Sequence, residues 1–235
     1  MGTGMASATT QLRTLEDPLA HLPCSNIIEC RRGQTIYGSD QPTTSLYLVI
    51  EGKVKVCRMT DEGRQVVVDI YQPDEFFGEA AFLGDGNRAE FAVTLEKTKL
   101  MSWTVTEIEE IANRRPKLAV ALLQLLVQRS VDFGARIESF SVDNIARRLA
   151  RSLMRFSDRL GTLADDGSVQ MIPFTHELLS QYVGTSREIV THYMNHFRRQ
   201  GFLRYSRKGI LLYREAMDKW LRHEDSAAAA GAGAA

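Results

Sequence analysis

The sequence predicts an α+β chain of two domains joined by a long helix, and three observations carry this. Residues 26–103 alternate short runs of β-branched and aromatic residues with turns rich in Gly and Asp. A nearly unbroken apolar helix pattern opens at Pro116, and the last third reads as helices about a tight turn near Gly184. At 235 residues the chain exceeds the usual size of one domain, and each half is long enough to bury a core. Its 44% hydrophobic and 25% charged residues are ordinary for a globular protein and exclude a wholly disordered or fibrous chain.

Residues 1–20 are polar and rich in small residues and are expected to be flexible. Nothing in them has the basic-then-apolar pattern of a signal peptide, and no run approaches the roughly 18 consecutive apolar residues of a membrane span. A cytoplasmic protein without membrane attachment is the expectation. Residues 21–115 form the β-rich domain, with strands expected at 45–49 (SLYLV), 53–58 (KVKVCR), 65–71 (QVVVDIY) and 91–95 (FAVTL), and a short helix TEIEEIANRR at its end.

The helix at 116–141 starts with Pro116, which suits a first helical turn. Its apolar residues between Leu118 and Val127 nearly encircle it, so one face can pack on the β domain while another meets a second copy of the chain. Burial within one chain is the alternative. Residues 142–223 follow as a third unit: a helix at 142–156, a loop at 161–167, a short strand ending near Pro173, and then the segment THELLSQYVGTSREIVTHYMNHFRRQ. The tail from 224 to 235 is low in complexity and is expected to carry no fold.

The formal net charge of zero hides an asymmetry. Residues 1–143 hold 15 basic against 20 acidic residues, a net of −5, whereas residues 144–223 hold 14 against 7, a net of +7. A basic C-terminal third on an acidic body suits attraction to phosphates at one end, although a solvated basic face would have the same composition.

In 175–200 two helices flank a Gly-containing turn, which makes a helix-turn-helix. Thr175 and Ser186 are suited to cap the two helices. Leu178, Leu179, Val183, Ile189, Val190 and Phe197 would hold them together. Arg187, Glu188, Thr191 and His192 share one face at the start of the second helix and can enter a major groove of double-stranded DNA together. Arg can grip guanine O6 and N7, and Glu can accept from cytosine N4. The run LRYSRKGILL then reads as two short strands about a turn, with Arg207 and Lys208 placed to lie along the backbone as a wing.

Cys24, Cys30 and Cys57 are too few and too irregular for a disulfide framework or a zinc site, so no metal site is expected. No P-loop, GxSxG, HExxH or dinucleotide fingerprint is present, which argues against an enzyme.

Taken together, RRGQTIYGSD, SLYLVIEGKVKV, DEGRQ, QPDEFFGEAAFL, AVTLEKT, the long helix and VGTSREIVTHYMNHFRRQGFL resemble the CRP/FNR superfamily over about residues 22–213. The resemblance implies a bacterial transcription regulator: a β-roll like a cyclic-nucleotide-binding domain, a dimerisation helix and a winged helix-turn-helix. It also implies a homodimer on a palindromic operator with a TGA-like core, and contact with RNA polymerase. By the same resemblance Arg187, Glu188 and His192 read bases, His192 standing where an Arg is usual. The alternative is a cyclic-nucleotide-binding signalling module without specific DNA activity.

For the effector, a cyclic nucleotide or another small molecule, the resemblance implies Gly78, Glu79 and Ala80, then Arg88 and Ala89, with Arg129 and Ser130 on the long helix. The family's Arg-Ser pair for the phosphate reads Arg88-Ala89 here, so the hydroxyl is missing and Glu90 adds a carboxylate. Alignment on Lys97-Thr98 would put Glu90 itself at the arginine position. The thiolate ligands of the family's iron-sulfur branch cannot be assembled from three scattered cysteines, and His21 is the sole His of the N-terminal half.

Overall fold

The computed structural model of the chain describes residues 15–84 and 89–232, with side chains as far as His223. Eight strands build the N-terminal domain: β1 (Ile27–Cys30), β2 (Thr35–Tyr37), β3 (Ser45–Glu51), β4 (Val54–Met59), β5 (Gln65–Tyr71), β6 (Phe76–Phe77), β7 (Glu90–Thr94) and β8 (Thr98–Thr104). They form two antiparallel sheets, ordered β1-β8-β3-β6 and β2-β7-β4-β5. Alternating inward residues such as Leu46, Leu48, Val54, Val56 and Leu100 are buried, as strands with one face on a core require.

After β8, α1 (Val105–Arg114) opens with a capping box in which Thr104 and Glu107 satisfy each other's backbone N–H. The long helix α2 (Lys117–Val142) buries only Leu118 and Ala121. By length and hydropathy it is, among the described residues, the one helix able to cross a bilayer. Residues 15–20, expected to be flexible, dock on it: Glu16 N–H donates to the Gln124 side chain at 2.8 Å and its carboxylate pairs with Lys117 at 3.3 Å.

The next helix, α3 (Ile145–Leu160), starts three residues later and ends four residues later than the sequence suggested. The break between α2 and α3 is local chemistry: Asp143 is extended and Asn144 caps α3 by accepting from Arg147 N–H. The Asp143 carboxylate gathers Ser139 of α2 (2.6 Å) with Arg147 (2.8 Å) and Arg151 (2.9 Å) of α3.

The C-terminal domain continues with β9 (Thr162–Leu163), β10 (Val169–Met171), α4 (His176–Val183), α5 (Arg187–Arg199), β11 (Leu203–Ser206), β12 (Gly209–Leu212) and α6 (Arg214–Ala232). Its strands make one antiparallel sheet, β11-β12-β10-β9. The loop expected at 161–167 therefore contains a strand, and the helix α6 runs through most of the tail expected to have no fold. Alanine's helix propensity accounts for that continuation. The core of this domain, with Leu149, Leu153, Phe156, Leu179 and Phe197, merges with Cys57, Val67 and Ile70 of the β-roll; α4 packs on β5 of its own chain, and α3 reaches β5 through Arg155 and Arg159.

Candidate nucleic-acid interface and sensor interior

The helix-turn-helix is set by its caps and its turn. The Thr175 hydroxyl accepts from Leu178 N–H at 3.0 Å at the start of α4, and the Ser186 hydroxyl accepts from Ile189 N–H at 3.3 Å at the start of α5. Between them Gly184 takes a left-handed conformation (φ 74°), which ends α4; a Cβ there would also stand 2.9 Å from the Phe140 ring of α2.

Arg187, Glu188 and His192 are exposed on the first turns of α5; Glu188 and His192 lie on the side away from the buried Val190, Met194 and Phe197, and Arg187 is exposed because it opens the helix. Its own backbone N–H, the Ser186 hydroxyl and Arg187 hold the Glu188 carboxyl below its usual range, so it presents a charged acceptor. Thr191 is half-buried and differently employed. Its hydroxyl donates to the Arg187 carbonyl at 2.8 Å and so must accept from His176 Nδ1–H, also at 2.8 Å, bracing α4 against α5. Burial, with help from Arg187, holds His176 below the usual imidazole range, which keeps that brace neutral. Ile189, expected in the core, is 37% exposed beside this face because it lies a quarter-turn from Val190.

The wing is the β11–β12 hairpin, with Ser206 paired to Gly209 and the exposed Arg207 and Lys208 between them. Two residues the sequence did not single out tie it to α5: Tyr205 donates to Asn195 Oδ1 at 3.1 Å, and Arg198 lies 5.5 Å over the Tyr205 ring. Arg204 adds an exposed cation on the same hairpin. Only their position beside Asn195 identifies them, and that depends on tertiary pairing.

In the β-roll, Gly78 is left-handed (φ 88°) and has no room for a side chain, since a Cβ would lie 2.8 Å from the Ser45 carbonyl oxygen. It opens a short 3-10 turn, Glu79–Leu83, in which Ala80 is buried. Glu79 meets Arg129 of α2 at 2.5 Å, and Arg129 also donates to the Phe76 carbonyl and lies 5.0 Å over the Tyr71 ring. Tyr37 donates to Glu90 at 2.9 Å; burial raises the Glu90 carboxyl above its usual range and Glu79 adds to that. Tyr37, Tyr47, Phe77 and Tyr71 stack around this interior with ring centroids 5.1–6.3 Å apart. The structure thus brings Gly78, Glu79, Ala80 and Arg129 together. Arg88 lies outside the described residues, Ala89 uses its carbonyl to accept from Met59 N–H on the neighbouring strand, and Ser130 is exposed on another face of α2.

Residues 27–115 match the cyclic nucleotide-binding domain family, and residues 147–220 match the Crp-like helix-turn-helix domain family. The CRP-like cAMP-activated global transcriptional regulator of Mycobacterium tuberculosis is 26% identical over 211 residues, which cover 89% of this chain and 88% of that protein. The cyclic AMP receptor protein of Thermus thermophilus is 28% identical over 185 residues, 79% of this chain and 82% of that one. Among solved structures, a CRP/FNR family transcriptional regulator from Thermus thermophilus superposes with a TM-score of 0.66 at 25% identity, covering 84% of this chain and 98% of that one. FixK2 from Bradyrhizobium japonicum shares the fold at a TM-score of 0.72 and 21% identity, over 83% and 96% of the two chains. With both halves matched in their order along the chain, this protein belongs to the CRP/FNR superfamily of DNA-binding transcription regulators.

Proposed function

We propose that two copies of the chain pair through α2 and lay their α5 helices into successive major grooves of an inverted-repeat operator, controlled by an effector in the β-roll. The observation that carries this is the exposed Arg187, Glu188 and His192 face at the capped start of α5, flanked by the cationic wing. Pairing rests on the α2 stripe Val120, Leu123, Val127, Ser130, Gly134 and Ile137, whose spacing of three and four is that of a coiled-coil seam and whose apolar members are exposed in the single chain. Half-sites one helical turn apart, about 34 Å, suit such a dimer. Arg187 grips a guanine, Glu188 accepts from a cytosine and His192 reads or braces the third position of a TGA-like core. Thr175 and Ser186 direct the N–H groups of their helices toward phosphates, and Arg207 and Lys208 follow the backbone. The protein acts in the cytoplasm, recruits or blocks RNA polymerase, and catalyses no reaction.

The effector is a small molecule without a phosphodiester. The two relatives described above are named for cyclic AMP, but here Glu90 stands in the interior beside Glu79, and Arg129 is already engaged by Glu79. Among the described residues, a phosphate entering there meets the carboxylates of both Glu79 and Glu90, with Arg129 already paired to Glu79 and Arg58 already acting on Glu90. Isothermal titration with cyclic AMP should give no binding tighter than millimolar, and micromolar affinity would reverse this choice. For DNA, an in vitro selection should return an inverted repeat, and Arg187→Ala with Glu188→Ala should abolish its retention in a gel shift. Unchanged retention by that variant refutes the assignment.

A further inference from the structure

Arg159, in the last turn of α3, spends its whole guanidinium on the β-roll. Nη1 reaches both oxygens of Asp69 on β5 at 2.8 Å, Nη2 reaches the Ile70 carbonyl and Glu75 at 3.0 Å, and Nε reaches Glu75 at 3.2 Å. The Gln72 side chain returns a bond to the Arg159 carbonyl, and Arg155, one turn back, lies 3.4 Å from Asp69. Asp69 is buried while Arg159 and Glu75 are only half-buried, so the Asp69 arm of this fork-to-carboxylate clamp is shielded from water and the Glu75 arm reaches its edge. A Lys could supply the charge but not the fork.

The clamp joins the element that leads into the helix-turn-helix to the strand that also floors the sensor. Tyr71, next to Ile70, lies under Arg129, and Arg129 holds Glu79. In the position the clamp fixes, Arg187 and Glu188 at the start of α5 share a cleft of about 890 Å³ with Thr60, Asp61, Glu62 and Arg64 of the β4–β5 turn and with Gln65 and Val66 at the start of β5. The recognition helix is therefore referenced to the β-roll, not only to α2.

We propose that Arg159 is a positioning residue for operator binding: its bonds to Asp69 and Glu75 set where each recognition helix stands, so that the paired helices match the spacing of the half-sites. This rests on the dimeric operator reading above. Loss of the clamp leaves each helix able to bind a groove but lets the pair fall out of register, so specific affinity falls while phosphate-driven affinity does not.

The test uses the full chain, a duplex carrying the inverted repeat selected by the wild type, and a scrambled duplex of equal length at the same salt. Arg159→Met strands Asp69 as a buried, partly uncompensated charge and should lower the melting temperature. Arg159→Met combined with Asp69→Asn removes that charge and should recover most of the stability. The expected result for the double variant is a melting temperature near wild type, operator affinity about tenfold weaker, and unchanged affinity for the scrambled duplex. Operator affinity that recovers together with the melting temperature overturns the proposal and leaves Arg159 a stabilising residue only. Equal losses on both duplexes overturn it too, because Arg159 would then be acting on phosphate. A wild type that does not distinguish the two duplexes defeats the operator reading itself, and the proposal with it.

Discussion

Leu123 is the residue through which the dimer is most directly tested. It is 61% exposed in the single chain and touches no core, so Leu123→Glu should leave the subunit folded. Full burial of a Leu side chain contributes about 1.5–3 kcal/mol. The exposed fraction left for the partner to cover therefore contributes about 1–2 kcal/mol per copy, or about 2–4 kcal/mol for the symmetric pair. At 1.4 kcal/mol per tenfold, the dimer should dissociate between about one and three orders of magnitude more readily, before any repulsion between two facing Glu residues. Sedimentation velocity across a concentration series reads this directly, and operator retention in a gel shift should fall with it. A variant that stays dimeric at nanomolar concentration would show that the α2 stripe is not the seam.

His176 gives a pH prediction. Its folded pKa lies below the ordinary imidazole value of 6.5, so the unfolded chain takes up a proton first as pH falls, and stability must drop below about pH 6.5. Melting curves between pH 7.5 and 5.5 should show a steeper loss for the wild type than for His176→Gln, and parallel losses would contradict the neutral brace. Glu90 works in the opposite sense: its folded pKa is raised, so stability falls as pH rises above the ordinary carboxylate range, and Glu90→Gln should melt higher at pH 7.5 and equally at pH 4. A lower melting temperature at pH 7.5 would argue that the charge is needed. In the wing, Arg207→Ala should weaken operator and scrambled duplex alike and reduce the salt slope by about one; a loss confined to the operator would mean that Arg207 reads bases.

Much of this was legible in the sequence because the signals were local. Caps and a turn glycine announce α4 and α5, and β-branched runs announce β3, β4 and β5. Strand β1 was not legible, since Ile27 and Ile28 are both exposed and show no alternation, and β6 is only two residues long. The face formed by Arg187, Glu188 and His192 followed from helical spacing alone. Thr191 did not, because whether its hydroxyl faces DNA or His176 depends on how α4 crosses α5. The Arg159 clamp was out of reach for a like reason: Asp69 and Arg159 are 90 positions apart and meet only when α3 lies on β5.

The Asp143 carboxylate, shared by Ser139, Arg147 and Arg151, makes the elbow between α2 and α3 a bracket instead of a loose joint. A bracketed elbow turns α3 into a crank arm. With 16 residues at about 1.5 Å each, the arm is about 24 Å long. A tilt of about 10° at the bracket would sweep its far end by about 4 Å, more than the rise of one base pair and more than the Arg159 bonds to Asp69 and Glu75 can follow without breaking. On the dimer reading proposed above, the arm is thus held at both ends, by Asp143 at the elbow and by Arg159 on the β-roll, and a rotation where two copies meet reaches the duplex only by opening one of these two holds.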